Sequence, residues 1–62
     1  MSLKRFTRPD GLIVLVNPEQ VQSVTDASVV GNLPGAHAVI TLVSGVFQVV
    51  RETVDEVEDQ LQ

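Results

Sequence analysis

The 62-residue sequence predicts a mainly β domain with one C-terminal helix, in the order β-β-β-β-β-α, built as a small twisted sheet or open barrel. Three observations carry that expectation. Residues 38–61 read as strand, two-residue turn, strand and capped helix: AVITLV, SG, VFQVV, then RETVDEVEDQL. Two earlier runs, LKRFTR and LIVLV, flank Pro9-Asp10-Gly11. Valine dominates an apolar content of 44%, and a side chain branched at Cβ is stiff at χ1 and fits the pleated sheet.

Each element has a local reason. Residues 3–8 form a first strand, and residues 12–16 a second that is apolar at every position and so wants cover on both faces. Pro9 presets φ, and Asp-Gly tolerates positive φ, so the two strands make a hairpin. Asn17-Pro18 ends the second strand, because proline donates no ladder hydrogen bond. Residues 21–26 (VQSVTD) suit a third strand, although Val21 and Val24 lie three apart and break strict alternation; a helical turn after Asn17-Pro18 is the competing reading. Residues 27–37 are irregular, with turn signals at Gly31-Asn32 and Pro34-Gly35. They are apolar for a loop, so they fold back on the core or mark a contact surface. Residues 38–43 alternate Ala38, Ile40, Leu42 against Val39, Thr41, Val43. Ser44-Gly45 turns the chain, and residues 46–50 return with Val46, Gln48, Val50 against Phe47, Val49. Thr53-Val54-Asp55-Glu56 then has the spacing of a capping box, and Val54, Val57 and Leu61 fall on one helical stripe. The two aromatics, Phe6 and Phe47, are expected in the core.

A chain this short, read as one domain over residues 1–62, buries only about 60% of the surface its unfolded form exposes. Disulfides, a metal or self-association usually supplement such a core. There is no cysteine and a single histidine, which leaves out disulfides and thiolate or histidine metal cages. Neither a metal nor a cofactor is expected. The N-terminal MSLKRFTRPDG precedes no long apolar run, so neither a leader nor a membrane span is expected. A net charge of −4, with no Trp or Tyr to stack bases, argues against nucleic acid as a partner.

Groups able to do chemistry are sparse. His37 has no nucleophile or orienting carboxylate nearby in sequence, so it reads as structural or exposed. Asp55 with Glu58 and Asp59, and Glu52 with Glu56, could pair on the helix, but a short terminal helix keeps them solvated. Residues 31–35 lack the Lys and Ser/Thr of a phosphate loop and the third glycine of a dinucleotide fingerprint. The chain reads as a non-enzyme.

The strands carry more apolar surface than three helix residues can cover. Barrel curling, the apolar loop or another chain must cover the rest, and the small core favours another copy: a homo-oligomer. Charge also segregates, with Lys4, Arg5 and Arg8 at one end and Glu52, Asp55, Glu56, Glu58 and Asp59 at the other. Such complementarity can orient one subunit against the next; runs of charge more often form solvated faces, and basic residues on an edge strand block unwanted pairing. The candidate interaction residues are Arg5, Arg8 and Arg51 among the basic side chains, with Val29, Val30 and Leu33 in the apolar loop.

Four segments in order, Phe6 to Gly11 (FTRPDG), Val16-Asn17-Pro18, Ile40-Thr41-Leu42 with Ser44-Gly45, and Val49 to Val57 (VVRETVDEV), resemble the flagellar FlbD-type small proteins. That pattern has a Thr-Arg and Asn-Gly-like first turn, a Leu-Asn-Pro break, an Ile-Thr-Leu…Gly hairpin and a Val-Lys-Glu-Ser…Glu-Val helix start. The likeness spans nearly the whole chain and rests mostly on turn and cap residues. It implies a small cytoplasmic protein without catalytic residues, found with flagellar genes, where some members support the motor, or in phages and prophages. Residues 27–37 depart from the pattern, which has a shorter link, and this favours the phage or prophage type. The expected function is a non-enzymatic interaction or assembly module. The alternatives are an inhibitory or ligand-sequestering phage or anti-defence protein that blocks a host factor or traps a small ligand (binding of anionic nucleotides needing Lys4, Arg5, Arg8 or Arg51 would mark it), a flagellar motor accessory, and a DNA-binding module, which the acidic balance opposes.

Overall fold

Two three-residue loops set the registers of two hairpins. The computed structural model describes residues 3–31 and 34–62, with the backbone alone at Val29 and Val30. In the first hairpin, β1 (Lys4–Thr7) pairs antiparallel with β2 (Ile13–Val16), Phe6 opposite Val14 and Arg5 opposite Leu15. The Arg8 amide donates to the Leu12 carbonyl at 2.7 Å and the Gly11 amide to the Arg8 carbonyl at 2.9 Å. The second hairpin, β4 (Ala38–Leu42) with β5 (Phe47–Val50), repeats this geometry. Leu42 donates to Val46 at 2.8 Å and Gly45 to Leu42 at 2.9 Å. Gly11 and Gly45 share a φ of +92°. The expected two-residue Ser44-Gly45 turn is therefore a three-residue loop, Val43-Ser44-Gly45. Either two-residue hairpin turn would force positive φ onto Ser44, whereas the longer loop confines it to the glycine.

Between the hairpins, Asn17 caps a 3₁₀ turn at Pro18–Gln20, its Oδ1 accepting from the Glu19 amide at 3.0 Å. The helical turn and the strand after Asn17-Pro18 are thus both present, in series. β3 (Val21–Asp26) pairs antiparallel with β4, Val24 opposite Ile40, and its register shifts between Val21 and Ser23. That bulge explains the broken alternation. One extra residue lets Val21 and Val24, three apart, both pack on the same core.

Among the described residues the five strands form two open antiparallel sheets, β1-β2 and β3-β4-β5, followed by α1 (Val54–Leu61). The core lies between them. Phe6 and Val16 come from the first sheet, Ala38, Ile40 and Val50 from the second and Val57 from α1, all buried. Phe6, Ile40, Val50 and Val57 are the largest fully buried side chains. The helix begins where the sequence places it: Thr53 Oγ1 accepts from the Glu56 amide at 3.2 Å, and Glu56 Oε1 accepts from the Thr53 amide at 3.0 Å.

The reverse face of β4-β5 has its own small cover. After β3, a 3₁₀ turn at Ala27–Val30 folds back, and Ala27 and Ala36 pack over Val39 and Val49. Phe47 lies farther along the same face, opposite Thr41, past this cover. It is 55% exposed, so the expectation of two aromatic core residues holds for Phe6 and fails for Phe47.

Candidate interaction surface

Besides its core side chains, the first hairpin meets the rest of the fold along a short hydrogen-bonded seam. Thr7, on the edge of β1 away from β2, accepts a hydrogen bond from the Arg51 amide at 2.7 Å. Its own amide donates to both carboxylate oxygens of Glu52, at 3.0 and 3.2 Å. The carboxylate stands where a neighbouring strand would place a carbonyl. The Arg51 guanidinium donates to the Pro9 carbonyl, from Nη2 at 3.1 Å and from Nε at 3.4 Å. Behind the seam, His37 Nδ1 lies 2.7 Å from the Arg51 carbonyl, and the His37 amide donates to Val50 at 2.9 Å. His37 is exposed, and its ring contact serves the backbone. Glu52 and Glu56, one helical repeat apart, bind different amides and form no pair.

With the seam closed, the hairpin turns one face outward. Alternation sends Phe6, Val14 and Val16 inward and Arg5, Ile13 and Leu15 outward. Leu3, Ile13 and Leu15 remain 53 to 55% exposed, and Leu12 at the loop is also exposed. The continuous apolar run of β2 thus lacks the cover expected for its second face. Among the described residues β2 pairs only with β1. Because the Arg8 amide bonds to Leu12, the ladder alternation aims the backbone groups of Ile13 and Leu15 at the far, unpaired edge. Apolar faces beside an open strand edge are the kind of surface at which chains associate. A smaller apolar spot, Val43, Val46 and Phe47, sits at the other hairpin loop.

On the acidic side of the molecule, an open groove of about 510 Å³ runs between β3 and α1. Val24, Val54 and Leu61, each half-buried, line it together with exposed Asp55 and Glu58 and with Gln62. Beside it, the Thr53 backbone amide, and then its hydroxyl, hold the Glu56 carboxyl below its ordinary value. The Ser28 amide and hydroxyl do the same for Asp26.

The candidate residues meet different fates. Arg5 projects from the middle of the outward apolar face, opposite Leu15, and forms no ion pair among the described residues. Arg8 pairs with Asp10, Nη2 to Oδ2 at 2.8 Å, in an exposed bridge that contributes little. Arg51 is engaged by Pro9. The side chains of Val29 and Val30, and Leu33 as a whole, lie outside the described residues. Leu3, Ile13, Leu15 and Glu52 were not singled out from the sequence as interaction residues. The unbroken LIVLV run was a signal for the leucine and isoleucine; nothing local signals Glu52.

Among the described residues no group of three or more His, Asp or Glu could hold a metal ion, and no helix is long and apolar enough to cross a membrane. Comparison with family models, curated proteins and solved structures gives no match to the chain.

Proposed function

We propose that this protein is a small non-enzymatic assembly module that associates with its own copies. One observation carries the reading: the outward face of the β1-β2 hairpin, with Leu3, Ile13 and Leu15 half exposed beside an unpaired strand edge. Fully burying a Leu or Ile side chain stabilises by about 1.5–3 kcal/mol, so half-exposed ones retain about half of that for association. The resemblance to FlbD-type proteins supports a cytoplasmic, phage- or prophage-encoded setting, with a flagellar accessory role as the other branch of the same likeness. The anionic-ligand alternative has less support, because Arg51 is engaged by Pro9 and the alternation of β1 sends Lys4 and Arg5 to opposite faces, so the four cations do not converge on one site.

Sedimentation equilibrium at micromolar concentration tests the proposal. The wild-type chain is expected above its 6.7 kDa monomer mass. The double variant Ile13→Thr, Leu15→Thr places a β-branched, strand-favouring residue at both positions and removes the apolar face. It loses about 1.5–3 kcal/mol of association, roughly 10- to 150-fold in Kd. A wild-type chain that stays monomeric throughout would defeat the reading.

A further inference from the structure

Self-assembly through the hairpin face leaves a question that the charges answer: which surface does that face meet? It is an apolar patch with a cation at its centre. Arg8 is matched by Asp10, Arg51 faces Pro9, and the alternation of β1 sends Lys4 to the other side. Arg5 is left among Leu3, Ile13 and Leu15 without an acidic partner among the described residues.

Three surfaces on a second copy compete for it. A two-fold contact of the face with itself brings Arg5 against Arg5 while water is excluded, a like-charge juxtaposition that interfaces avoid. The apolar spot at Val43, Val46 and Phe47 has no carboxylate in its own loop sequence, LVSGVFQ; the Val43 amide bonds to Gln20, whose neighbour Glu19 is a single acid set against the pair in the groove. The groove between β3 and α1 matches on both counts. Val24, Val54 and Leu61 give it an apolar floor, and Asp55 and Glu58, neighbours on one helix face at i, i+3, give it a negative rim.

We infer that copies join head to tail, the hairpin face of one in the β3-α1 groove of the next, with Arg5 set against Asp55 and Glu58. The inference rests on the self-assembly proposed above and specifies its geometry. Arginine's planar fork suits two neighbouring carboxylates better than a lysine would. The two surfaces share no residue, so every copy offers both. Such a contact closes reciprocally in a dimer when the rotation between copies is 180°, and otherwise propagates into a larger ring or an open filament.

Charge reversal separates this from the broader reading. Association of wild type, R5E, E58K and an equimolar mixture of the two variants is measured by sedimentation velocity, with circular dichroism as the check on folding. R5E alone and E58K alone are each expected to associate at least about tenfold more weakly than wild type. The mixture regains association to within about threefold of wild type. At one kind of joint the unaltered Arg5 of the E58K chain meets the unaltered groove of the R5E chain. At the other kind the two introduced charges, opposite in sign, meet each other. Should E58K lose its helix, E58Q removes only the charge and is expected to weaken association about fivefold. Wild-type-like association of E58K and E58Q, with loss in the Ile13→Thr, Leu15→Thr variant, overturns the head-to-tail geometry and leaves self-assembly standing. A monomeric wild-type chain overturns both.

Discussion

Replacing Glu52 with alanine removes the acceptor of the Thr7 amide at the joint between the two sheets. The carboxylate receives that amide through both oxygens, at 3.0 and 3.2 Å. A hydrogen bond to a charged group contributes about 1.5–3 kcal/mol net. Both residues are half-buried, so water partly replaces the lost acceptor, and the expected cost of E52A is about 1–2 kcal/mol. At roughly 0.05–0.15 kcal/mol per residue, a chain of this length has about 3–9 kcal/mol in total, so the loss is a large share. Urea unfolding followed by circular dichroism reads it as a midpoint lower by about 1 M or more, with the slope unchanged. Thermal melting reads it as a Tm lower by about 5–15 °C. E52Q keeps one oxygen acceptor and loses the charge, so it falls between, at about half the cost. E52D retains the charge but is one methylene short of the amide, and it resembles E52A. An E52A chain within about 0.3 kcal/mol of wild type would refute the idea that a side chain stands in for a strand here.

Thr53→Ala removes the hydroxyl that accepts from the Glu56 amide at 3.2 Å; it should cost about 1 kcal/mol and lower Tm by about 4–8 °C, and an unchanged melt would show that the capping box is idle. Acid titration of stability is the third expectation. Glu56 and Asp26 have folded-state values below their ordinary 4.5 and 3.8. Their contributions are therefore fully present above those ordinary values and vanish as pH falls through the lower folded ones. Stability should decline on acidification in that window, less steeply in Thr53→Ala, and a curve that is flat there, or rises, contradicts the assignment.

What was legible in the sequence was local. Pro9-Asp10-Gly11 and Thr53 through Glu56 act on neighbours within a few residues, and both perform as their chemistry dictates. The spacing of Val21 and Val24 was an anomaly on the page, and the bulge between Val21 and Ser23 resolves it without abandoning the strand. Ser44-Gly45 misled by one residue, because a dipeptide does not disclose which of its members must carry positive φ. Phe47 misled more: hydrophobicity states what a side chain prefers, while its cover ends at Val39 and Val49. The outward face of β2 was half visible, since LIVLV announces that two faces want cover but not which one the fold leaves open. Glu52 was legible only as one acid of the C-terminal run, not as a joint between the sheets. Its partner lies 45 residues away, and no pattern around it distinguishes it from the other acids of the helix start.

The seam also sets the order in which the molecule comes apart. The β1-β2 hairpin is local in sequence, and what ties it elsewhere is Phe6, Val14 and Val16 at the core and three contacts at residues 51 and 52. By contrast β3, β4 and β5 are hydrogen-bonded neighbours in one sheet. The hairpin is therefore expected to open before the three-stranded sheet, with amide exchange releasing residues 4–16 ahead of residues 38–50. Opening of the hairpin would uncover the Phe6 site, so Arg51 and Glu52, which act outside the core, bear on how long the core stays closed.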